Sequence, residues 1–112
     1  MSRFAMGLTP PYYAVIFAAQ QSDDVAGYGE MAEAMQTTAA DQDGYLGIET
    51  TRDAQGFGIT VSYWRDEAAL LDWKAHAKHA IAQKLGRERW YDHYELRVAK
   101  IERAYSGPEG RD

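Results

Sequence analysis

A chain of 112 residues, 46% of them hydrophobic, can bury one core and leaves no room for a second, so residues 1–112 are expected to form a single domain. The formal net charge of −5 excludes a nucleic-acid-binding role, because neutralising phosphates takes clustered cations, and here Lys and Arg are interleaved with Asp and Glu. Cysteine is absent, which removes disulfides, thiolate metal sites and cysteine nucleophiles, and no run is apolar enough for a signal peptide or a membrane span; the expected setting is cytoplasmic, without membrane contact.

The "TPP" of Thr9 to Pro11 favours extended backbone, and "YYAVIFAAQ" (Tyr12 to Gln20) follows as a strand with both faces covered, since neither parity of its alternation is polar. "SDD" (Ser22 to Asp24) offers an N-cap and first-turn acids. Val25, Tyr28, Met31, Ala32, Met35 and Ala39 then recur at helical spacing, predicting an amphipathic helix. "DQDG" (Asp41 to Gly44) ends it. "YLGIETTRD", "AQG" and "FGITVSYWR" read as a hairpin of two strands.

Asp66 is placed to cap a second helix whose Leu70, Trp73, Ala77, Ala80 and Ile81 share one side, with Arg65 supporting the entry. Lys84, Arg87, Glu88 and Arg89 continue it as a solvated charge cluster. "WYDHYELRVAKIERAY" (Trp90 to Tyr105) reads as a long strand, closing a core of about 12–105, and the polar tail 106–112 is expected to fray.

The order strand, helix, strand, strand, helix, strand predicts a ferredoxin-like βαββαβ sandwich of the α+β class, an antiparallel sheet with both helices on one face. The strands carry apolar or aromatic residues on both parities, as Ile59, Val61 and Tyr63 do against Trp64. A second apolar face calls for a cover, and another copy of the chain is the simplest one, so a homodimer with its two sheets facing each other is expected.

The segments "GYLGIE", "GITVSYWRDEAALLDWKAHAKH" and "LGRERWYDHYELRVAKIER" resemble the antibiotic biosynthesis monooxygenase-like domain of the dimeric α+β barrel superfamily, from about Tyr12 to Tyr105. The resemblance implies a pocket between the helices and the sheet of each subunit. It also implies three kinds of activity: oxygenation of polyketide-like phenols and anthrones without a cofactor, haem degradation, or functions not yet defined.

The candidate site centres on "DWKAHAKHA" (Asp72 to Ala80). At roughly 100° per residue, Trp73 lies near the middle of the apolar stripe, His76 on its flank and His79 turned toward water. A metal held by His76 and His79 would need a third ligand from Asp92 or His93 on the last strand; the spacing alone supplies no ligand set, and no metal is expected. In the haem-degrading branch the resemblance calls for an Asn on the first strand, a Trp on the second helix and an axial His ten residues after that Trp. Trp73 matches the Trp, Gln83 stands where the His is expected, and the chain contains no asparagine, leaving Gln20 as the nearest amide.

The resemblance makes oxygenation of a small aromatic or polyketide-like compound without a cofactor the first functional expectation, although the Asn that this branch also uses has no counterpart here; haem is the alternative cofactor, and a dimer that only carries a small hydrophobic or aromatic ligand the alternative of another class. A dimer with no ligand, its aromatics all core, is a further alternative. The catalytic candidates are His76, as a base, and Trp73, as the wall of a water-poor pocket. Trp64, Tyr63, Trp90, Tyr91 and Tyr94 are the candidate substrate-binding aromatics. The glycines of "GYGE" and "DGYLG" lack the setting of a phosphate-binding loop, and Ser62 has no argued triad partners.

Overall fold

The structure is a computed structural model that describes residues 3–83 and 90–108, with backbone only for 78–83. Six elements follow in chain order: β1 (Tyr12–Gln21), α1 (Tyr28–Ala40), β2 (Tyr45–Arg52), β3 (Phe57–Trp64), α2 (Glu67–Gln83) and β4 (Tyr91–Ile101). The strands make one antiparallel sheet in the order β2-β3-β1-β4. This is the expected ferredoxin-like α+β arrangement. Among the described residues no helix is long and apolar enough to cross a membrane.

Two boundaries differ from expectation. α1 begins at Tyr28, not at the "SDD" acids, because Gly27 takes a left-handed φ of 81° that a helix cannot continue through. Ser22 and Asp24 instead shape a turn, the Asp24 N–H donating to Ser22 Oγ at 3.2 Å and the Ala26 N–H to Asp24 Oδ1 at 3.4 Å. β4 stops at Ile101, short of Tyr105, where β1 begins at Tyr12 and supplies no further partner. The predicted cap of α2 is in place: the Ala69 N–H donates to Asp66 Oδ1 at 2.8 Å. The cluster at Arg87 to Arg89 lies outside the described residues.

Strict alternation fails at two bulges, and both matter for what faces the helices. Gln20 pairs with His93 but Gln21 with Tyr91, leaving Asp92 as an extra residue. The parity of β4 flips there, so Tyr91 joins Tyr94 and Leu96 on the helix side. A second shift, between Tyr45 and Gly47, leaves Leu46 over and brings Tyr45 to the same side as its partner Trp64.

On that side Val15, Ala39, Trp64, Ala69 and Leu70 form the buried core, with Tyr13, Tyr45 and Trp73 packed against it. Trp64 is fully buried and its indole N–H donates to Ser62 Oγ at 2.9 Å. The opposite face carries Tyr12, Ala14, Ile16, Ile59, Val61 and Tyr63. Its β2 edge is crossed by the N-terminal segment: the Ala5 N–H donates to Glu49 Oε2 at 3.1 Å, and Tyr63 Oη donates to Glu49 Oε1 at 2.6 Å. Phe57 and Ile59 remain exposed there.

Candidate functional site

Between α1, α2 and the sheet lies a cavity of about 430 Å³, within the range of small-molecule sites. It runs along α1, whose Tyr28, Met31, Ala32, Met35, Gln36 and Ala39 recur at helical spacing and face inward. The sheet contributes a floor of Val15, Phe17 and Leu96, and α2 contributes Trp73, Lys74 and Ala77. Methionines suit such a wall because their flexible thioethers adapt to irregular shapes.

Aromatic rings close one end. Tyr28 meets Trp90 and Tyr91 edge-on at 5.7 Å each, and Phe17 meets Tyr91 and Tyr94 at 5.4 Å each. Trp90 is anchored at two of its polar groups: its indole N–H donates to Ala26 O at 2.9 Å, and its carbonyl accepts from the Ser22 N–H at 2.7 Å. Those bonds tie the start of β4 to the loop before α1.

The same end is where the hydroxyls gather. Tyr91 Oη lies 3.3 Å from Tyr28 Oη, and Arg52 Nη2 donates to Tyr28 Oη. The Arg52 guanidinium also lies over the Tyr28 ring, 5.0 Å from its centroid, and its Nη1 donates to Gly56 O at 3.0 Å. Burial, then the contact with Tyr28, pushes the Tyr91 phenol well above its ordinary range, so at neutral pH it is an O–H donor and not a base.

Of the residues singled out in the sequence, Trp73, Trp90, Tyr91 and Tyr94 line the cavity. Trp73 has a double role, stacking on Trp64 at 5.8 Å while one side faces the hollow. Trp64 belongs to the closed core and Tyr63 to the opposite face of the sheet, paired edge-on with Tyr12 at 5.7 Å; neither lines the cavity. Burial, then Glu49, pushes the Tyr63 phenol above its ordinary range.

His76 is exposed and stacks on Trp73 at 5.9 Å, outside the lining. His93 lies on the opposite sheet face, 2.7 Å from Glu95 Oε2, and Asp92 is the bulge residue. The side chains of His79 and Gln83 lie outside the described residues. No described imidazole therefore reaches into the cavity as an axial haem ligand would. Tyr28 and Arg52 carry only a faint sequence signal for this end of the cavity: Tyr28 shares the helical stripe of Met31 and Met35, and Arg52 the strand parity of Ile48.

A two-layer α+β subunit with an aromatic-lined cavity between its layers is the class that the fold and the site define. The family model described as antibiotic biosynthesis monooxygenase matches residues 11–85, and the chain belongs to that family. It is 52% identical over 94 residues to the uncharacterized protein YqjZ of Bacillus subtilis, covering 84% of this chain and 82% of that one. It is 33% identical over 94 residues to a jasmonate monooxygenase of Pyricularia oryzae, covering 80% of this chain and 43% of that longer protein. Among solved structures it is similar to SnoaB, a cofactor-independent oxygenase from Streptomyces nogalater, with a TM-score of 0.66 at 11% identity over 85% of this chain and 97% of that one. At that identity the likeness bears on the fold alone.

Proposed function

We propose that the protein is a monooxygenase that takes a small, largely apolar molecule into the cavity beneath α1 and works without a cofactor. The observation that carries this is the cavity itself: apolar walls from two helices and the sheet, with hydroxyl donors gathered at one end. The family membership and the monooxygenase relative support the same reading. Without a cofactor the substrate supplies the electrons. A CH₂ group beside an electron-rich ring becomes C=O, one atom of O₂ is retained, and the other leaves as water with the two hydrogens. Such chemistry favours an apolar surround for reactive intermediates, and Met31, Met35 and Leu96 line the cavity.

In this reading Trp73 is a wall of the pocket, and Tyr28 and Tyr91 orient an oxygen of the substrate. His76, exposed and stacked on Trp73 outside the lining, acts as base only if it moves toward the cavity; unchanged turnover in His76→Ala would remove that role. Oxygen uptake with dithranol and with jasmonate tests the activity. Uptake that saturates and is abolished by filling the cavity with Ala32→Trp is expected; uptake indifferent to that substitution would overturn the reading.

We also propose that the face bearing Ile16, Ile59 and Val61 is covered by a second copy of the chain. Light scattering is expected to give twice the chain mass of 12.6 kDa, and the monomer mass for Ile16→Lys with Val61→Lys. A monomeric wild type would refute it.

A further inference from the structure

The hydrogens at the hydroxyl end of the cavity can be counted. Tyr28 and Tyr91 bring two O–H groups, and one of the two hydrogens lies between their oxygens. Tyr91 Oη donates to Tyr28 Oη and Arg52 Nη2 donates to the same oxygen, so both of its lone pairs are filled and its own hydrogen is the one left over. One phenolic hydrogen is left over, with no acceptor among the described residues. Behind the pair sits a half-buried guanidinium that no described carboxylate neutralises. The end of the cavity is thus rich in donors, positive, and lacking an acceptor.

The position of that charge is built into the backbone. Arg52 and Gly58 are register partners, and the guanidinium lies across Gly58 to reach Tyr28 on the first turn of α1. A Cβ at Gly58 would stand 2.8 Å from both Cζ and Nη1 of Arg52, closer than van der Waals contact permits. Gly56, with φ of 86°, turns its carbonyl to hold Nη1 at 3.0 Å. A charge that served only solubility would need no such seat.

We propose that the Tyr28, Tyr91 and Arg52 end of the cavity is an anion-anchoring subsite, and that the molecule taken up is an apolar monocarboxylate whose carboxylate accepts the spare phenolic hydrogen in front of the guanidinium. The inference rests on the cavity being a ligand site, as proposed above, and adds the charge of the ligand. A carboxylate satisfies the spare hydrogen and compensates the cation in one step, whereas a neutral hydroxyl or ketone does only the first. The remaining cavity wall then packs on the hydrocarbon.

Titration calorimetry with two probes of equal chain length tests it: 4-phenylbutyrate and the neutral 4-phenylbutan-1-ol, at pH 7 and physiological salt. The wild type is expected to bind the carboxylate at least about tenfold more tightly, the ratio that a hydrogen bond to a charged group commands. Arg52→Gln, which removes the charge and keeps a donor, is expected to bring the ratio near one while the alcohol binds as before. Gly58→Ala, which leaves the charge count alone and displaces the guanidinium, should lower the ratio in the same direction. Arg65→Gln, remote from the cavity, should leave it unchanged.

Equal affinity for the two probes in the wild type would overturn the anion subsite and leave the cavity as a ligand site. Failure of both to bind would overturn the subsite and the ligand-site reading together. A preference that survives Arg52→Gln with alcohol binding intact would reduce Arg52 to a tie between the hairpin and α1.

Discussion

The layer between helices and sheet is filled at one end and hollow beside it. Around the start of α2, Trp64, Leu70 and Ala69 pack closely, the first two being almost wholly withdrawn from solvent. Along α1 the same layer opens into about 430 Å³ walled by Met31, Met35 and a ring of aromatics. Trp73 stands on the boundary, stacked on Trp64 on one side and facing the hollow on the other. The difference teaches where stability and binding reside. Close packing converts burial into stability, while an unfilled space forgoes those contacts and keeps them for a ligand.

The largest expected contrast comes from truncating each end. Trp64→Ala should cost about 3–5 kcal/mol in urea unfolding, because it removes the centre of the packed end. Met35→Ala should cost less than about 2 kcal/mol, below the usual range for a buried methionine, because one side of Met35 already faces the cavity. Equal losses would erase the distinction between the ends.

Enlarging a side chain reverses the comparison. Ala69→Leu, forced into the packed end, should destabilise by about 1–3 kcal/mol. Ala32→Leu, placed in the hollow, should be neutral or stabilise by up to about 2 kcal/mol, and should weaken binding of 4-phenylbutyrate at least tenfold. Urea midpoints measured alongside calorimetry separate the two outcomes.

The smallest effect concerns the entry to α2. The Ala69 N–H and then Arg65 hold the Asp66 carboxyl below its usual 3.8, and Arg65, which lies 3.2 Å from Asp43, lowers that carboxyl as well. Because the folded-state values are depressed, this contribution is complete above about pH 4 and is lost as pH falls through them. Unfolding midpoints between pH 6 and pH 2.5 should therefore fall less steeply for Asp66→Asn than for the wild type. The loss should be modest, since all three groups are exposed to water, and the cavity end should show no matching dependence in this range.

Much of the fold is legible in the chain. The apolar run from Tyr12, the helical stripe from Tyr28 to Ala39, the turn at Gly56 and the Asp66 cap are local signals, and local signals specify elements. The site is only half legible. Trp73, Trp90, Tyr91 and Tyr94 can be picked out as aromatics, yet alternation alone puts Tyr91 and Tyr94 on opposite faces of β4. The Asp92 bulge brings them together, and a bulge depends on how two strands pair rather than on either strand's pattern. His76 illustrates the converse: helical spacing sets it beside Trp73 correctly, but only the packing of Trp73 against Trp64 decides that the imidazole lies outside the cavity.

By itself, then, the order of residues determined six elements, their ferredoxin-like sequence and an aromatic-rich interior, because propensity, capping and periodicity act over a few residues at a time. Tertiary structure alone decided that Arg52, Tyr28 and Tyr91, 63 residues apart at the widest, meet at one end of a cavity. That meeting needs the sheet register to set Arg52 across Gly58, the bulge to turn Tyr91 inward, and α1 to begin one residue after Gly27. Each is a long-range geometric condition that no local run of sequence can state.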